Sequence, residues 1–342
     1  MPEPSPSSTS DEEVLLQPDG PDGPLEDQLR PTYEDERLEP SGDMEGPEAI
    51  FNEPAGVYRV EAVASGGIQP RKKRVRVTFW MAAAWLVVLT LVAVFADVLP
   101  FVKSYQKISA DLAQAPSADH WFGTDQLGRD IFSRVVYGAR VSLSIGFVAV
   151  FFGIIIGGLL GLVAGYYRGR LESTIVSAMD VMLAFPALIL ALTIVTFLGR
   201  STWNVIIALS ILAIPALTRI VRANTLVFSQ REFVLAAKSL GAKNGRVIFR
   251  EVMPNVVPPM ISFSLIAIAV VIVAEGALAF LGLSVQPPTP TWGFMINEGR
   301  EELSDAPWIS LIPAAVMFVT ILSLNLLGDI FTARFQIKDT GL

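Results

Sequence analysis

Apolar residues come in six long runs along this chain, at roughly residues 78–98, 141–166, 174–198, 202–219, 256–281 and 309–328. A helix needs about 20 predominantly apolar residues to cross the hydrocarbon core of a bilayer. Each run therefore predicts a spanning helix, and the fold class is an all-α membrane protein with six transmembrane helices. Pro186 interrupts the third run and Pro215 the fourth; within a span this is tolerated where neighbouring helices satisfy the freed backbone groups. Two runs also carry an acid, Asp180 in the third and Glu275 in the fifth.

The second run has a finer pattern. Gly153, Gly157, Gly161 and Gly165 recur every four residues, which aligns them as a stripe on one helix face. A stripe without side chains lets another helix backbone approach closely, the arrangement that favours helix packing in lipid.

The polar stretches divide the chain in two. Residues 1–70 are rich in Pro, Gly, Ser, Asp and Glu and carry 17 acids against three arginines, a net of −14. Such a segment buries too little surface to offset its ordering entropy, so a disordered, solvating or regulatory tail is expected there. It is no secretory signal, because the first apolar run begins only near residue 77. The remainder, 71–342, carries a net of +7 and forms the membrane domain. With "RKKRVR" (71–76) placed on the cytoplasmic side, six spans return both termini there. The segments then inside hold 16 basic residues and those outside hold seven. The chain has no cysteine and one histidine, which removes thiolate, disulfide and multi-histidine chemistry.

One inside segment is neither apolar nor plain loop: "REFVLAAKSLGAKNGRVIFREVMPN" (231–255). Ser229 and Glu232 have the spacing of a capping box. Phe233, Ala236, Ala237 and Leu240 then follow at the spacing of one helix face, and Gly241 is a natural stop. "NG" at 244–245 predicts a turn. Arg246 to Met253 reads as a second short helix, ended by Pro254. The expectation is a structured helical hairpin over 229–255, with small residues where another protein surface can come close.

These residues resemble a known family. Ala236-Ala237, three residues, Gly241, then twelve residues to Pro254 is similar to the "EAA" loop of ABC-importer permease subunits. "HWFGTDQLGRDIFSRVVYGARVSLSIG" (120–146), "MDVMLAFPALILAL" (179–192) and "EGALAFLGLSVQPPTPTWG" (275–293) resemble the C-type permease subunit of dipeptide and oligopeptide importers. The resemblance runs from about residue 78 to 330. Where the family's loop opens with Glu this chain has Leu235, and Glu251 and Met253 stand where Ile and Leu are usual. The resemblance implies the type I importer permease fold. It also implies a bacterial inner-membrane location, peptide as substrate (with nickel as the sister alternative), a second permease subunit, two ATPase subunits and an external binding protein. Glu232, Leu235, Ala236, Ala237, Gly241 and Pro254 are then the surface on which an ATPase docks. The chain lacks G-x-x-x-x-G-K-[ST], so ATP and Mg²⁺ belong to partner chains, and no cofactor, metal, catalytic residue or nucleic-acid partner is expected on this one. A secondary transporter is disfavoured, since no inverted repeat is found and only two intramembrane acids are present. A scaffold whose tail does the work is a third class.

For the remaining polar residues the alternatives stay open. Asp180 reads as a structural ion pair or a coupling residue near the inner interface, and Glu275 as a lining of the translocation path or a partner across a subunit interface. "GTDQLGRD" (123–130) reads as a structured external elbow rather than a calcium loop, which needs more oxygen ligands at closer spacing. His120 beside Trp121 reads as an interfacial anchor.

Overall fold

The computed structural model describes residues 72–339, and the expectation of a disordered tail over 1–70 lies outside the described residues. The elements are α1 (Lys72–Val94), α2 (Ile131–Tyr167), α3 (Gly169–Ala184), α4 (Ala187–Leu198), α5 (Thr202–Phe228), α6 (Glu232–Ser239), the single turn α7 (Asn244–Arg246), a π-helical stretch (Val247–Val252), α8 (Met253–Phe280), α9 (Trp292–Glu298) and α10 (Trp308–Asp339). Among the described residues five helices are long and apolar enough to cross a membrane, and the bent pair α3 and α4, counted as one, makes six.

The third span is not the straight helix its apolar run predicts. α3 and α4 meet at 86°. Phe185, ahead of Pro186, takes ψ 135°, the extended conformation forced on a residue whose neighbour's ring crowds it.

α2 starts at Ile131, ten residues before the predicted span, and at 37 residues is about 55 Å long. The apolar run that predicts this span begins only at Val141, after Arg134 and Arg140. Both are paired. Arg140 donates to Asp97 at 2.9 Å and to the Ala93 carbonyl at 2.8 Å, closing the top of α1 onto α2. The Tyr137 hydroxyl and the Arg140 guanidinium hold the Asp97 carboxyl below the usual carboxylate range. Asp130 caps the helix by accepting from the Ser133 N–H at 2.9 Å.

The core is built where α2 meets α5, the most extensive helix pair in the chain. All four glycines of the stripe face α5. A Cβ at Gly157 would lie 2.8 Å from the Ile214 carbonyl, at Gly161 2.7 Å from that of Thr218, and at Gly165 2.8 Å from that of Arg222. At Gly153 the Leu217 side chain would be met at 2.9 Å. The stripe is thus consumed inside the chain. α5 runs on to Phe228, nine residues beyond the predicted span, because this contact continues through Arg222 and Thr225. α8 and α10 complete the bundle, and α1 lies outside, tied by Trp85 Nε1 donating to Thr320 Oγ1 at 3.1 Å.

The stripe has a direct check. Gly161→Ala places a methyl against the Thr218 carbonyl, the Val221 Cβ and the Arg222 nitrogen, none of which can swing away. A loss of about 1–3 kcal/mol is expected. Gly158→Ala, one residue off that contact and 3.5 Å from the flexible Met260 sulfur, is expected to be neutral. Denaturant unfolding of both variants in detergent makes the comparison.

Candidate functional site

The hairpin grows out of α5. Ser229 is not the N-cap of α6: it closes α5, its hydroxyl donating to the Leu226 carbonyl at 3.1 Å. Extended Arg231 stands at the N-cap of α6 instead, and its side chain does not cap the helix. Ten residues later the chain reverses at Gly241, whose φ is +78°. The Gly241 N–H bonds the Lys238 carbonyl at 2.9 Å and the Ala242 N–H bonds that of Ala237 at 3.0 Å, the paired bonds of a Schellman ending.

The second half departs from the sequence reading. Asn244-Gly245 is no turn but the first turn of helix, and Pro254 ends nothing. A proline inside an α ladder strikes the carbonyl four residues back and leaves it unpaired. Here the widened π turn precedes the ring, with the Met253 N–H reaching the Ile248 carbonyl. The Asn255 amide takes the Glu251 carbonyl at 2.7 Å. The chain therefore passes from hairpin into span without a break.

A single side chain of α6 is fully sequestered: Val234, at 0% exposure, packs with Leu162 of α2, Val221 of α5, Val247, Val252 and Val256. Lys238 lies 4.8 Å over the ring of Tyr166, whose hydroxyl donates to Asn244 at 3.0 Å. The hairpin is thus seated on both helices of the core pair. Val234 stands outside the stripe Phe233, Ala236, Ala237, Leu240 that the helical spacing picks out, so the sequence reading did not single it out. The inward stripe is Val234 and Ala237. Phe233, Leu235, Ala236 and Leu240 are exposed, Leu240 to 88%. Glu232, Gly241 and Pro254 are exposed as well. An open groove of about 440 Å³ beside them is lined by Tyr166, Arg168, Ser229, Gln230, Leu235 and Lys238. A well-seated hairpin thus presents apolar and small side chains that none of the described residues covers.

The opposite end of the bundle holds a buried polar knot that sequence reasoning saw only in part. Asp125 accepts from the backbone N–H groups of Leu127 and Arg129, from Arg129 Nε at 2.6 Å, and from Arg134. Both arginines reach Glu298 at the end of α9, Arg129 at 2.5 Å and Arg134 at 2.8 Å. The Arg134 contact is a charge pair without hydrogen-bond alignment. His120 is no interfacial anchor. It is buried, its Nδ1 2.8 Å from Asp130, and Trp121 alone is exposed. A carboxylate only accepts, so Nδ1 carries the proton.

Glu275 is 1% exposed within this chain, so it neither lines an open path nor reaches a subunit surface here. It accepts from Ser284 at 2.5 Å, with the Ser142 and Thr291 hydroxyls also bonded to it. Beside it Trp292 donates to Ser142 and to the Val135 carbonyl. Asp180, by contrast, is half exposed and paired with Arg219 at 2.6 Å. Among the described residues no group of three or more His, Asp or Glu could hold a metal ion.

These features define a class: a polytopic helical membrane protein with a bent helix pair and an exposed helical hairpin at one end. Residues 157–337 match the family described as binding-protein-dependent transport system inner membrane component, and the chain belongs to that family. It is 42% identical over 252 residues to the dipeptide transport system permease protein DppC of Alkalihalophilus pseudofirmus, covering 73% of this chain and 83% of the relative. To the glutathione transport system permease protein GsiD of Escherichia coli O157:H7 it is 45% identical over 249 residues, covering 72% and 82%. Its fold is that of the membrane chain in inward-facing structures of the MetNI methionine ABC transporter. The TM-score is 0.52 at 17% identity, over 60% of this chain and 97% of that one. The chain is a transport subunit, not an enzyme.

Gly241 isolates what holds the hairpin's shape. A Cβ there meets nothing within 4 Å, so only its positive φ restricts substitution. Gly241→Val is expected to cost about 1–2 kcal/mol, read as roughly tenfold faster amide exchange across α6. Gly241→Asn, which tolerates that backbone region, is expected to stay near wild type.

Proposed function

We propose that this chain is the permease subunit of an ATP-driven importer of short peptides, working beside a second permease chain, two ATPase subunits and an external binding protein. The hairpin is where an ATPase closes. The observation that carries this is the exposed face of α6: Phe233, Leu235, Ala236 and Leu240 stand open on an element whose reverse side is locked by Val234 into the α2–α5 pair. An apolar face on a rigid seat, outside the spans, suits a protein partner that must transmit force. Small Ala236 lets that partner approach closely.

The peptide assignment rests on two relatives whose named substrates, dipeptide and glutathione, are short peptides. The hairpin end is cytoplasmic by the excess of Lys and Arg in the segments on its side, which puts the polar knot outside, in a bacterial inner membrane. ATP and Mg²⁺ act on the ATPase chains; this chain supplies the path and the lever.

Ala236→Trp tests the docking face. Added volume at a packed contact is absorbed only with strain, about 1–3 kcal/mol, so ATPase association and ATP-dependent dipeptide uptake are expected to fall on the order of tenfold while insertion persists. Gly245→Ala, whose Cβ meets open space, serves as the unaffected control. Wild-type uptake and wild-type pull-down of the ATPase by Ala236→Trp would remove the hairpin from the coupling path. ATP-dependent nickel uptake in place of peptide would overturn the substrate class.

A further inference from the structure

The bent span is thinly covered. Met179 is the one buried residue of α3, and Ala191 and Val195 are those of α4. Two ion pairs join α3 to α5, and they differ. Glu172–Arg222 is the sheltered one, with side chains 19 and 31% exposed. Asp180–Arg219, at 2.6 Å, leaves both side chains about half exposed, at 52 and 53%. On its own helix face Arg219 is flanked by exposed Ala216 and Ala223, too short to screen a guanidinium. Asp180 stands one turn before the end of α3, where the break at Pro186 leaves the last carbonyls without an onward helix, and α4 begins without a side-chain cap.

Arg219 lies about 25 Å along α5 from Thr202, at the inner boundary of an apolar slab roughly 30 Å thick. A half-open ion pair and an uncapped helix break are satisfied there by water and not by lipid tails. Glu172–Arg222 already clamps α3 to α5, so the open pair is not needed for that.

We propose that Asp180 and Arg219 form a terminus-binding site for the transported peptide. Arg219 takes the peptide's α-carboxylate as a planar fork, and Asp180, with the carbonyls that end α3, takes its α-ammonium. The two side chains part to receive the zwitterion, and each exchanges one opposite charge for another, so no charge is left unpaired at membrane depth. This assignment rests on the peptide reading above and deepens it: the substrate class is a short peptide with both termini free.

The test uses the complete complex in proteoliposomes. Uptake of a free dipeptide is compared with that of its C-terminal amide and its N-acetyl derivative, each saturating the binding protein. Arg219→Gln is expected to narrow the preference for free peptide over the amide on the order of tenfold and to leave the preference over the acetyl derivative unchanged. Asp180→Asn is expected to do the converse, and Arg219→Lys to retain most of the wild-type preference. ATPase association checks assembly in each variant. Ratios that stay at wild-type values, or that move together in both variants as a lost clamp would make them, overturn the site. A wild-type complex that moves none of the three peptides overturns the peptide reading, and this assignment with it.

Discussion

Everything at the hairpin end depends on one contact, the bare-backbone approach of α2 to α5. Lipid tails are as apolar as leucine, so two helices gain little by hiding apolar surface from them; close packing must do the work. Four glycines supply it, three of them against carbonyl oxygens of the facing helix. Leu162 on one helix and Val221 on the other are held close enough to form a single socket, and Val234 fills that socket. The hairpin owes its orientation to a contact that lies in the membrane.

That arrangement gives the hairpin the character of a lever. It leaves α5 at Ser229 and enters α8 with no intervening loop, because the π turn absorbs Pro254. A push on α6 reaches the socket through Val234 and α8 through continuous helix. The turn at Gly241 carries little of this load, having no neighbours that a Cβ would touch. Its role is to reverse the chain in the one backbone region where glycine is at ease.

Much of this was legible in the sequence, for reasons that also explain the failures. The six apolar runs, the glycine register and the stop at Gly241 are local patterns, and local patterns survive in one dimension. Val234 was missed because it stands outside the stripe of Phe233, Ala236, Ala237 and Leu240, of which only Ala237 turns inward. The early start of α2 was hidden because Arg134 is paired with Asp125 across the elbow and with Glu298, 164 residues away, contacts that no helical periodicity can see. His120 was misjudged for the same reason. Its partner Asp130 is ten residues off, across a turn that irregular backbone builds.

The two ends of the molecule hang on the same rod. α2 carries the hairpin socket near Leu162 and the Asp125–Arg134–Glu298 knot near its start. A buried ionic knot is a poor way to gain stability, since desolvation offsets most of the attraction. It does fix geometry, because breaking any one pair strands a charge. The elbow over 123–130 and α9 are therefore held to α2 as firmly as the hairpin is, and Glu275 with Trp292 adds a second tie between α8, α9 and α2. What is held least is α3, bent from α4 at Pro186, with one buried residue and two ion pairs to α5, whereas α4 sets Ala191 and Val195 into the core. Packed glycine contacts have one good register; ion pairs between long side chains have many. If the ends move relative to each other, the bent span is where this fold can yield, and it is also where the open charges lie.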